Sequence, residues 1–216
     1  MKSEDVARFL REHPEFFEEQ GELLANINVP HPLGGRAIPI AERQLLALRD
    51  KNKSLEEKLR ELIRFGEEND ALGEKVHRLA LALLRATDLR NTLHALSFNL
   101  REDFAVPHVA QRLWGWAPAG EALAEFAPVS DGVQALADGL VQPYCGGHAA
   151  PEVAGWFGED ASRLRSFAMV ALRRETPFGL VVLASEDPQR FYPEMGTLYL
   201  SRIGEMAGAA LGRFRP

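Results

Sequence analysis

Leucines recur at Leu45, Leu48, Leu55, Leu59 and Leu62, with Asn52 set among them, at steps that alternate between three and four. The positions between are mostly charged or Gln. Only a helix brings such positions onto one face, and a stripe this narrow buries itself best against a second helix. The five leucines and Asn52 are therefore the expected dimer interface. A polar residue in such a seam costs stability, but it fixes the register and favours two strands. The chain is accordingly expected to work as a homodimer.

The pattern continues in a second register through Phe65, Asn69, Leu72, Val76, Leu79 and Leu83. The join from Leu62 to Phe65 is a step of three where four was due, a stammer that overwinds a coiled coil locally. Gly66 and Gly73 each weaken a helix by about 1 kcal/mol relative to alanine. A bend or loosened stretch is expected between them. Upstream, Ser3 with Glu4 and Asp5 predicts a capped first helix whose apolar stripe is Val6, Phe9 and Leu10. Pro14 predicts the start of a second, burying Phe16, Phe17, Leu23 and Leu24. Residues 29–35, with Pro30, Pro32, Gly34 and Gly35, form a breaker and are read as a linker.

Downstream of the ladder, Thr87, followed by Asp88, predicts a cap for a helix carrying Leu89, Leu93, Leu96 and Leu100 at helical spacing. The texture then changes to strands at 106–116, 125–129, 166–172 and 178–184, short helices at 133–140 and 151–157, and a closing helix over 193–214. The run Gly179, Leu180, Val181, Val182, Leu183, Ala184 is apolar at every position. A strand with one wet face would alternate, so both faces are expected to be covered, one by helices and one by a layer that could enclose a pocket. Gly204, Gly208 and Gly212 recur every four residues in the closing helix. Their propensity cost of about 2–3 kcal/mol points to a neighbouring backbone in close approach. The expected division is a helical region with the dimerising coiled coil over 1–84 and a second domain over 85–216.

A formal charge of −6 over 216 residues disfavours the phosphate neutralisation on which nonspecific nucleic-acid binding depends. No run of about 18 apolar residues occurs, and the acidic amino end lacks a signal core, so neither a membrane span nor export is expected. Cys145 is the only cysteine, which excludes an internal disulfide and fits a cytoplasmic location.

Candidate chemistry is sparse. Cys145 and His148 flank two glycines, and a thiol near an imidazole could serve as nucleophile and base. A half-buried loop cysteine beside a turn histidine is the simpler account, because nothing nearby lowers the thiol pKa. The remaining histidines make no His-x-x-x-His pair, so no metal site is expected. Arg112, Trp114 and Trp116 alternate along a predicted strand and share a face there, where packing explains them more simply than a stacking platform. Arg173 and Arg174 read as a solvated hairpin tip. No glycine-rich phosphate loop is present, no cofactor is indicated, and the chain is not expected to be an enzyme.

The order of elements resembles the GAF fold, a small-molecule-binding and dimerising module of signalling proteins. The resemblance rests on Phe178 through Ser185, followed by Phe191, Tyr192 and the closing helix. It implies an α+β class: a GAF-like antiparallel sheet flanked by helices, preceded by a long coiled-coil-type helix and two short N-terminal helices. The amino half is similar to a YigA-like bacterial family of unknown function, through Val6 to Leu10, His13 to Phe17, Pro30 and His31, Gly34 and Gly35, and Glu42 to Gln44. In a GAF fold the segment holding Tyr144, Cys145 and His148 lies at a pocket mouth. With Phe167 and Met169 these form the candidate ligand-binding set. The expected function is a non-enzymatic dimeric sensor or signalling module for a small molecule or protein partner. The alternatives are a ligand-free scaffold for protein–protein interaction and a thiol-based redox enzyme or sensor using Cys145. GAF-like enzymes that reduce free methionine sulfoxide use a second thiol, which this chain lacks.

Overall fold

A computed structural model describes residues 2–21, 28–29, 38–116 and 123–215. They fall into two compact units, Met1–Glu67 and Glu68–Pro216. The class is α+β, with a long helix ahead of a four-stranded antiparallel sheet and two short helices at the amino end.

In the first unit, α1 spans Ser3–Glu12 and α2 spans Phe16–Glu19. The α1 cap is Lys2, one residue ahead of the expected Ser3, because Asp5 turns back to accept from the Lys2 backbone N–H at 3.1 Å. Phe9 meets Phe16 edge-on, with ring centroids 6.1 Å apart, and thereby ties the two helices together. Two-residue strands β1 (Asn28–Val29) and β2 (Ile38–Pro39) pair antiparallel. Residues 30–35 of the expected linker lie outside the described residues, as do Leu23 and Leu24 of the expected second helix.

Helix α3, Ile40–Arg85, contains the whole ladder. It runs uninterrupted through Gly66 and Gly73, where loosening was expected. The ladder divides by burial instead. Leu45, Leu48, Leu55, Leu59 and Leu62 are between 49% and 65% exposed. Leu72 and Val76 are half-buried, and Leu79 and Leu83 are core residues. The second register is itself divided: Phe65 and Asn69 remain exposed, while Leu72 through Leu83 pack on the core of the second unit. This is why that unit begins inside α3, ahead of residue 85.

The core of the second unit is laid down by α4, Leu89–Glu102, capped not by the expected Thr87 but by Asp88, whose side chain accepts from the Asn91 N–H at 2.8 Å. Its buried stripe is Leu93, Leu96 and Leu100. The sheet follows in the order β3 (His108–Leu113), β6 (Pro177–Ser185), β5 (Ser166–Arg173), β4 (Tyr144–Gly146), every pair antiparallel. The segment expected as a strand over 125–129 instead holds a single 3-10 turn at Ala124–Phe126. Strand β4 comes from a segment read as a loop.

Both faces of β6 are covered, as its unbroken apolar run required. On one face Val181 and Leu183 meet α4, the end of α3, and α7 (Leu198–Gly212), which contributes Leu200, Ile203 and Leu211. On the other, Leu180 and Val182 meet α5 (Asp131–Gly139) through Val133 and Ala137, and α6 (Pro151–Gly155) through Val153. Gln111, a buried polar residue on β3, donates from Nε2 to the Leu93 carbonyl at 3.2 Å and to Ser97 Oγ at 3.0 Å, fastening α4 to the sheet.

The glycine face of α7 is explained by this packing. A Cβ at Gly208 would lie 2.9 Å from the Arg173 carbonyl oxygen, a backbone atom with no room to retreat. One at Gly73 would meet nothing within 4 Å. Gly73→Ala is therefore expected to stabilise by about 1 kcal/mol. Gly208→Ala is expected to destabilise, because an overpacking cost of about 1–3 kcal/mol outweighs the same propensity gain. Urea unfolding of the two variants checks the opposite signs.

Candidate functional site

Strand β4 holds most of the candidate set. Its pairing places Tyr144 opposite Met169 and Gly146 opposite Phe167 on β5. Successive residues of a strand point to opposite faces, which decides what can meet. Tyr144, Phe167 and Met169 lie in the layer beneath α5 and α6. Gly146 leaves the room that the Tyr144 ring occupies, since a Cβ there would collide with the phenol. Phe167 and Met169 are each 4% exposed and pack with Trp156 and Phe157, so bulky side chains occupy this layer.

Cys145 points the other way. It lies opposite Ala168, 7% exposed, in the core cluster beneath α4 and α7. Burial pushes its thiol pKa up. His148 is exposed. The five candidates thus occupy three environments. Tyr144, Phe167 and Met169 are together, Cys145 is on the opposite face, and His148 is in solvent. A nucleophile needs its base within hydrogen-bonding reach and a depressed pKa; Cys145 has the opposite shift. Its alkylation by iodoacetamide at pH 7 is expected to run at least about tenfold slower than that of free cysteine, by the thiolate rule. The rate should climb only at alkaline pH, where the raised pKa is crossed.

Arg112 and Trp114 share a face as expected, but Trp116 does not join them. Strand β3 ends at Leu113, and Gly115, at φ +86°, reverses the chain between the two indoles. Trp114 joins the α5/α6 layer, while Trp116 packs edge-on against Phe178 in the helical layer, centroids 5.5 Å apart. Arg112 lies over the Trp156 ring at 5.1 Å, and desolvation pulls its guanidinium pKa down, with Glu125 opposing. Arg173, expected at a solvated hairpin tip, instead closes the carboxy end of α5. Its Nη2 donates to the carbonyls of Ala137, Asp138 and Leu140, the last two at 2.9 Å. The sequence could not show this, because 33 residues separate Arg173 from Leu140.

No three His, Cys, Asp or Glu side chains converge as a metal site among the described residues, and no helix among them is long and apolar enough to cross a membrane. Sequence reasoning passed over Lys75, Arg190 and Tyr199, which line a groove of about 450 Å³ between residues 69–75 of α3, the carboxy end of α4 and α7. Only their neighbours give a signal: Lys75 lies between Leu72 and Val76, which are partly buried against the core.

The class is α+β, with a long helix bearing an exposed leucine face ahead of a four-stranded antiparallel sheet in sequence. The chain belongs to the family described as protein of unknown function DUF484, whose model matches residues 1–216. It is 26% identical over 214 residues to the uncharacterized protein YigA of Salmonella typhimurium strain LT2, covering 97% of this chain and 90% of that protein. This is the family that the amino-terminal motifs led us to expect.

Proposed function

We propose that the chain is a non-enzymatic, dimeric, GAF-like signalling module, working in the cytoplasm, that binds a small molecule or a protein partner. The observation that carries the reading is the exposed half of the ladder. Five leucines around Asn52 lie half-exposed or more on one helix, with charged residues between them. A helix of this kind gains its stability from packing an apolar face, and the heptad spacing suits a second copy of itself. The GAF-like reading is supported by the sheet order, by helices on one face and short helices on the other, and by the closing hairpin and helix. The absence of catalysis is supported by the raised Cys145 pKa and its separation from His148.

In this reading, a bound molecule changes how residues 72–83 of α3 pack against α4 and α7. Such coupling requires different affinities for two arrangements of that helix. Sedimentation equilibrium of the full chain tests the pairing: a dimer is expected, and a monomer at tens of micromolar overturns it. A second reading, a ligand-free scaffold, is favoured by the filled layer around Phe167 and Met169. Native mass spectrometry of protein purified from its own host separates the two. A retained small molecule supports the sensor, and a bare chain supports the scaffold.

A further inference from the structure

We propose that the groove between α3, α4 and α7 binds a small amphipathic carboxylate, its apolar body inward and its anionic head between Lys75 and Arg190. The groove belongs to the second unit alone and goes beyond the pairing of chains.

Its inner wall is apolar. Leu100, Leu183, Leu200 and Ile203 are all core residues, and Leu72 covers one side. A volume of about 450 Å³ falls within the usual range for small-molecule sites. Two cations stand at the rim. Arg190 is fixed there: its Nη2 donates to the Phe104 carbonyl at 2.6 Å, where the chain turns out of α4 through Ala105 at φ 51°. No carboxylate pairs with it among the described residues. Lys75 is half-buried, and its ammonium has neither an ion-pair nor a hydrogen-bond partner among the described residues. Tyr199 donates its hydroxyl to the Asn69 carbonyl at 2.9 Å, which holds α7 against α3 and keeps this end of the groove in shape.

Charge complementarity selects the ligand class. An apolar molecule alone would leave the half-buried, unpaired Lys75 ammonium unanswered, and a highly charged one would strand its charge against leucines. A single carboxylate on a hydrocarbon or aromatic body satisfies both. An Arg–carboxylate contact also supplies parallel donors at short distance.

The test is calorimetric titration of the full chain with octanoate, and with octanol as its uncharged match. Octanoate is expected to saturate a single site and to bind at least about tenfold more tightly than octanol, a difference of about 1.4 kcal/mol. Lys75→Met keeps an apolar stem and removes the charge. It is expected to weaken octanoate about tenfold and leave octanol unchanged; Lys75→Arg should retain octanoate binding. Added salt should weaken octanoate alone. Absence of saturable octanoate binding, or octanoate affinity untouched by Lys75→Met, overturns the proposal. A dimer that ignores octanoate would remove the groove assignment alone, and a monomer that binds it would remove the pairing alone.

Discussion

Leu55→Lys combined with Leu59→Lys is expected to abolish the proposed pairing and leave monomers. Both residues are more than half exposed on α3, in the unit that ends at Glu67. Burying a leucine side chain contributes about 1.5–3 kcal/mol. The double variant removes two such contributions from each chain; since each side chain is already about half covered, the loss is about 3 kcal/mol in all at the lower bound, roughly two decades in the association constant. It also places ammonium groups where the seam would exclude water, which adds to the loss. Lysine has nearly the helix propensity of leucine, so the substitution does not attack the helix itself. Any fall in helical circular dichroism then reports the loss of packing on which a solvated helix of this length depends. The thermal transition of the second unit should not move. A dimer that survives the double substitution, measured by sedimentation, would show that pairing lies elsewhere.

The ladder also shows where sequence reasoning succeeds and where it stops. Periodicity located α3, α4, β5 and β6 because each is long and keeps one hydrophobic period throughout. The unbroken apolar run of β6 correctly required cover on both faces, and the glycine spacing of α7 correctly required a close neighbour, which is the Arg173 backbone. Shorter features failed for identifiable reasons. Strand β4 has three residues, too few to establish a period. Trp114 and Trp116 looked coplanar only while the strand was assumed to continue past Leu113, and Gly115 ends that alternation. Cys145 and His148 are close in sequence, but proximity along a chain does not decide which face of a sheet a side chain takes. The join at Leu62 to Phe65 marks the limit of such reasoning. A step of three reads as a stammer if the same partner is assumed on both sides. Burial divides the stripe elsewhere: Phe65 and Asn69 past the join are still exposed, and only from Leu72 does the stripe pack on α4, α7 and the sheet. Sequence alone holds no record of that change, because a leucine facing a second copy and a leucine facing its own core obey the same spacing.

Leu79→Ala puts this division of the ladder to its strongest test. Leu79 is fully buried in the helical layer of the second unit. Truncating a leucine in such a place costs about 2–5 kcal/mol, from lost transfer free energy and from the cavity that remains. Alanine is at least as good a helix former, so none of that cost comes from the helix. For a unit of roughly 150 residues, each kcal/mol moves Tm by about 2–4 °C, so a fall of about 4–20 °C is expected. Leu59→Ala, twenty residues earlier on the same helix, should leave that transition within about 0.5 kcal/mol, as exposed substitutions do, while weakening association of the chains. The two variants therefore exchange readouts: one lowers the second unit's stability and leaves the association constant nearly alone, the other does the reverse. Were Leu79→Ala to cost less than about 1 kcal/mol and weaken the dimer instead, residues 72–83 would belong to the seam. The coiled coil would then run the full length of α3, and the groove beside Lys75 would lose one of its walls.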